Sequence, residues 1–124
     1  MSKTLTDLQK EVYETVKNNG FYIKWNRARN ILRRHGSGKL CLTYFIAQEY
    51  LIDLSEFDLM HSEISEASEE IRNKDREKAI IELAGLVIRV LCYCENQGFN
   101  LEKYIISENK RNKTRKMYHS RIVI

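Results

Sequence analysis

Apolar residues recur at helical spacing along most of the chain. Leu5, Leu8, Val12 and Val16 lie three or four positions apart, so TLTDLQKEVYETVKNN predicts an amphipathic helix. Thr4-x-x-Asp7 at its start has the form of a capping box, with Asp in place of the usual Glu. Asn18-Asn19-Gly20 supplies the stop. Residues 21 to 38 are less regular; they contain Trp25 and a loop-like HGSG from His35 to Gly38. Leu40 to Leu51 is apolar and aromatic, and its helical neighbours favour helix over strand. Ser55-x-x-Asp58 repeats the start signal and predicts a new helix, with Phe57, Met60, Ile64, Ala67 and Ile71 on one side. Asn73-Lys74-Asp75 predicts a turn, with Asp75 capping a helix from about Arg76 to Asn96. That helix is apolar on most of its circumference, which predicts the central core helix. Gln97-Gly98 ends it, and Asn100 can cap a further helix from Leu101 to about Lys110. The tail from Met117 ends in RIVI, a short strand or an oligomer contact.

These elements predict an all-α fold: one domain over residues 1–124, a compact bundle of four or five helices with a short irregular C-terminal tail. The absence of proline and the presence of only five glycines argue against a turn-rich β fold. A chain of 124 residues suits a single domain. With 43% apolar and 31% charged residues it reads as a soluble globular protein. No run of eighteen apolar residues occurs, so no membrane span is expected. MSKTLTDLQKEV is polar and lacks the apolar core of a signal peptide, which predicts a cytoplasmic protein. Cys92 and Cys94 are two apart on a helix, Cys41 is distant, and no C-x-x-C spacing occurs, so neither a zinc site nor a disulfide is expected.

The net charge of +4 changes the picture through its placement. Basic residues concentrate in KWNRARNILRR (Lys24 to Arg34) and KRNKTRKMYHSR (Lys110 to Arg121), while the middle of the chain is acidic. That asymmetry suits an anionic ligand held between a basic edge and a metal site, or a nucleic-acid surface.

The acidic middle carries the candidate chemistry. Glu63 and Glu66 are three apart and share a helix face; Glu70 continues that face and Glu69 sits beside it. Glu82 projects from the oily stretch IIELAGLVIRVL, where a carboxylate is costly unless paired. The short 73–75 turn implies antiparallel helices, which lets Glu82 face Glu66 and Glu63. Three converging carboxylates repel one another unless a divalent cation sits among them, and hard oxygen donors suit Mg2+ or Mn2+. The alternative is a solvated acidic face, with Glu82 paired to Lys78 or Arg89.

LMHSEISEASEEIRNKD, then IIELAGLVIRVLCYCENQGFNLEKYI, then NKTRKMYH together resemble the MazG-like all-α nucleotide pyrophosphohydrolases, beginning at TLTDLQKEVYETVKNNGF and leaving about Tyr22 to Asp53 poorly matched. The family pattern is EExxE, then ExxD one helix later. SEISE fits with Ser62 in place of the leading glutamate; ELAG fits at Glu82, with Gly85 where the family has aspartate. The resemblance implies Mg2+-dependent hydrolysis of a nucleoside triphosphate or related nucleotide between its α and β phosphates, with Glu63, Glu66 and Glu82 as metal ligands and catalytic residues. It implies phosphate contacts at Asn112, Lys113, Arg115 and His119, base stacking at Trp25, Phe21 or Tyr22, and a homodimer or homotetramer. Gly85 leaves three options: three glutamates suffice with water and phosphate, Glu69 or Glu70 compensates, or catalysis is lost and a nucleotide binder remains. Glycine also costs about 1 kcal/mol relative to alanine inside a helix. A third class is a nucleic-acid-binding helical protein using Arg27, Arg29, Arg33 and Arg34; their faces align only loosely, so nucleic acid is the less favoured partner.

Overall fold

Helical periodicity without proline gives helices throughout what the computed structural model describes: residues 2–22, residue 30 and residues 39–115, with side chains from 49 onward in the last stretch. Among the described residues there are four helices and no strand: α1 (Leu5–Asn18), α2 (Lys39–Arg72), α3 (Arg76–Gln97) and α4 (Leu101–Thr114). None of them is long and apolar enough to cross a membrane.

The helix boundaries follow local hydrogen bonding. Thr4 and Asp7 form the reciprocal capping box, each side chain bonding the other's backbone N–H at 3.1 Å. Asp75 caps α3 by accepting from the Lys78 N–H at 3.0 Å. Gly98 ends α3 with φ +80, a left-handed conformation that glycine adopts without steric cost. Asn100 then caps α4, which runs past the expected Lys110 to Thr114.

The two helices expected over 40–71 are one. Ser55 does not start a helix; its hydroxyl donates to the Leu51 carbonyl at 2.9 Å, so the start signal is spent on an internal back-bond and α2 runs on. The RIVI tail, Trp25 and the HGSG segment lie outside the described residues.

A turn over 73–75, with Lys74 left-handed at φ 61, folds α3 back along α2. The register is antiparallel: Glu66 meets Glu82, Glu63 meets Gly85, Phe57 meets Tyr93 with ring centroids 5.0 Å apart, and Asp53 accepts from Gln97 at 3.5 Å. α1 packs on α3 and on the start of α4, which makes α3 central. Its apolar circumference is nevertheless only partly covered within the chain. Ala79, Leu91 and Cys92 are buried, whereas Ile80 and Ile81 are each 63% exposed.

One buried amide ties α1 to the junction of α3 and α4. Gln9 is 2% exposed; its Nε2 donates to Glu95 Oε2 at 2.9 Å and to the Phe99 carbonyl at 2.8 Å, and its Oε1 accepts from the Leu101 N–H at 3.2 Å. Tyr13 adds a hydrogen bond from its hydroxyl to Asn96 Oδ1 at 2.9 Å. Gln9→Ala removes three partners from a site that water does not reach, so it is expected to cost about 1–3 kcal/mol in urea unfolding. A loss near zero would show that the amide is dispensable.

Candidate metal centre

α2 supplies Glu63 and Glu66 from adjacent turns, and α3 supplies Glu82 from the facing turn. One carboxylate oxygen from each lies within 4.8 Å of the others, the only such acidic group among the described residues. Glu66 is exposed; Glu63 and Glu82 are half-buried, so the group sits at the mouth of the α2–α3 seam.

Three like charges at this distance raise the cost of ionising all of them. Glu82 shows it: its carboxyl is held above its ordinary value of 4.5, first because it shares a hydrogen bond with Glu66, then one with Glu63, and then by desolvation. A hydrogen bond between carboxylates needs a proton, so in the absence of a cation the group retains one more readily than isolated glutamates would.

Glu70 and Glu69 do not join this group. Glu69 is turned to solvent and paired with Arg72 at 3.0 Å, and Glu70 lies one turn beyond Glu66. Glu82 pairs with neither Lys78 nor Arg89. Lys78 reaches Asp75 at 3.9 Å, and Arg89 Nε donates to Glu63 Oε1 at 2.8 Å. Gly85 faces the same carboxylate: a Cβ on Gly85 would lie 3.1 Å from Glu63 Oε2.

Beside the carboxylates is a cavity of about 290 Å3. Phe21, Tyr22, Met60 and Ile88 give it an apolar wall, and Glu63, Gly85 and Arg89 form the wall nearest the acidic group. Tyr22 is buried and its ring contacts both Tyr13, at 5.3 Å, and Phe21, at 5.1 Å. Cys92 also lines it; burial, with a smaller contribution from Glu56, pushes its thiol up to about 11, which keeps it protonated and unreactive. Two residues that sequence reasoning passed over belong to this region. Along the sequence Arg89 stands out only as a partner for Glu82, and no motif marks Glu56, which is buried on the cavity wall. The signal available for Glu56 was its position two turns before Glu63 on one helix face.

The basic C-terminal group is elsewhere. Asn112 and Lys113 lie on the last turn of α4 and Arg115 is its C-cap, with Arg115 Nη1 donating to Asn112 Oδ1 at 3.4 Å. None of the three lines the cavity beside the carboxylates. Trp25, His119 and the Arg27–Arg34 cluster lie outside the described residues. Set against known proteins, the chain matches no family model, no curated protein and no solved structure.

The raised Glu82 carboxyl makes stability pH-dependent with a definite sign. Between 4.5 and its raised folded value, the folded state holds a proton that the unfolded state has lost, so stability falls as pH rises through that window and stays lower above it. Glu82→Gln is therefore expected to raise the melting temperature at neutral pH without divalent cations. The gain should vanish once the carboxyl is protonated in both states, below 4.5. Equal melting temperatures for the two proteins at neutral pH would refute the repulsion.

Proposed function

We propose that the chain is a Mg2+-dependent nucleotide pyrophosphohydrolase of the MazG-like kind, cleaving a nucleoside triphosphate or related nucleotide to a monophosphate and pyrophosphate. The observation that carries the reading is the convergence of Glu63, Glu66 and Glu82 within 4.8 Å. The donor set fits the ion: all three groups are hard carboxylate oxygens, and Mg2+ typically takes few protein ligands and keeps waters and substrate phosphates for the rest. When bound, Mg2+ or Mn2+ supplies charge neutralisation at the phosphate oxygens and a more acidic water.

The chain's own residues have separate tasks in this reading. Glu63 and Glu66 from α2 and Glu82 from α3 would hold the ion. A carboxylate oxygen of this group left free of the metal would accept the proton of the attacking water. The apolar cavity beside them, with Phe21 and Tyr22 on its wall, takes the nucleobase and keeps water from that side. Asn112, Lys113, Arg115 and His119 hold the polyphosphate, and arginine suits this because its planar fork matches phosphate oxygens.

The placement of that basic group supports a homodimer or homotetramer. Its described members, Asn112, Lys113 and Arg115, lie at the end of α4 and do not line the cavity of their own chain, which leaves phosphate contacts for a second copy to supply. Ile80, Leu83 and Val87 form an exposed apolar stripe on α3 opposite the acidic face, a surface for such a contact. A monomer by light scattering at micromolar concentration would count against this assembly.

The competing reading is a nucleotide binder without turnover, motivated by Gly85, which leaves the centre three carboxylates. Pyrophosphate release from a panel of ribo- and deoxyribonucleoside triphosphates, with and without Mg2+, separates the two. The expected outcome is metal-dependent turnover that falls by at least about 100-fold in Glu66→Ala and Glu82→Ala. Nucleotide binding without release would leave the binder, and neither binding nor release would remove both.

A further inference from the structure

Glu63 reaches from α2 to the surface of α3, and what it meets there is unusual for a helix face. Its carboxyl lies over Gly85, where a Cβ would stand 3.1 Å from Oε2, 3.4 Å from Cδ and 3.7 Å from Oε1. All three atoms of the group are close, so the carboxyl covers the glycine. The first distance is tighter than side-chain carbons normally tolerate, and the obstructed group is held at its far end. Glu82, Gly85 and Arg89 occupy successive turns of one face of α3. Glu63 therefore sits between an anion one turn back and a cation one turn on. It is close to both: Arg89 Nε donates to Oε1 at 2.8 Å, and a carboxylate oxygen of Glu63 lies within 4.8 Å of one of Glu82.

We propose that Arg89 is a positioning residue for Glu63, and that Gly85 is the opening in α3 that lets Glu63 take its place in the carboxylate group. The proposal rests on the metal reading above. The Arg89–Glu63 pair is not an ordinary surface ion pair. The Glu63 side chain is 15% exposed and that of Arg89 34%, so the pair is partly withdrawn from water, where a fixed geometry survives better than at an open surface. Nor does the arginine pull Glu63 out of the group, because a Glu63 oxygen stays within 4.8 Å of those of Glu66 and Glu82 while Arg89 is bound. The same three residues, Glu63, Gly85 and Arg89, also form one wall of the cavity, so the arrangement faces the space a ligand would fill. A glycine that weakens its own helix is thereby accounted for: the absent side chain is replaced by a carboxyl from the neighbouring helix.

The sign of one measurement tests this. Arg89 is a cation beside a cation site, so its charge alone repels Mn2+, and removing it should tighten binding. Its positioning role predicts the reverse. Mn2+ affinity is measured by calorimetry on the full chain for the natural protein, Arg89→Met, Arg89→Lys and Gly85→Ala. Arg89→Met is expected to weaken Mn2+ binding by about 10–100-fold, the usual effect of losing a ligand's hydrogen-bond partner. Arg89→Lys should lose less. Gly85→Ala should weaken binding while its helix content and melting temperature hold or rise, since alanine favours the helix. In a Glu63→Ala background, Arg89→Met should weaken nothing further. Natural-level or tighter Mn2+ binding in Arg89→Met, with the natural protein binding normally, overturns the positioning role and leaves the metal reading standing. A natural protein that binds no Mn2+ overturns both. Should Arg89→Met fail to fold, Gly85→Ala still decides, and unchanged affinity there overturns the proposal.

Discussion

Everything near the site depends on the antiparallel register of α2 and α3. A turn of only three residues leaves little freedom in how the two helices meet, so the facing of Glu66 with Glu82 and of Glu63 with Gly85 follows from the turn and the helical repeat together. That register sets a repulsive group of carboxylates at one level of the seam. One turn further on it sets an arginine against the same glutamate, and beyond that the Phe57–Tyr93 and Asp53–Gln97 contacts. The cost of crowding carboxylates is borne by a hairpin that is anchored on both sides of them.

Local capping was legible in the sequence because each cap is a bond between residues three apart. Thr4 with Asp7, Asp75 with Lys78, Gly98 and Asn100 all occupy the roles their spacing suggested. Ser55 shows the limit of the same logic. A serine before a helical stretch and a serine inside one look alike, and the choice between capping and bonding back to Leu51 is made by whether the preceding residues are already helical. The convergence of Glu63, Glu66 and Glu82 was legible because a short turn forces antiparallel packing.

The partner of Arg89 was not legible, because along its own helix Glu82 is the obvious carboxylate, while Glu63 is 26 positions away and reached only through the register. Gly85 could be seen only as a departure from a pattern; the carboxyl lying over it is a tertiary fact. Gln9 and Glu56 were equally hidden, since nothing local distinguishes a buried polar residue on a helix from an exposed one. The chemistry assigned to the C-terminal basic group rests on resemblance; Asn112, Lys113 and Arg115 do not line the cavity of their own chain.

The turn at Lys74 also bears on when the centre comes into being. Contacts between α2 and α3 join segments close in sequence; Glu66 and Glu82 flank a single turn. Pairings of this kind carry a small loop-closure cost and are among the quickest to form. The docking of α1, which must bring Gln9 to Phe99 and Leu101 from the other end of the chain, is a far longer closure. The carboxylates are thus brought together by a short closure, and the amide that secures α1 by a long one. A proton or a cation among them would ease the less costly of the two closures.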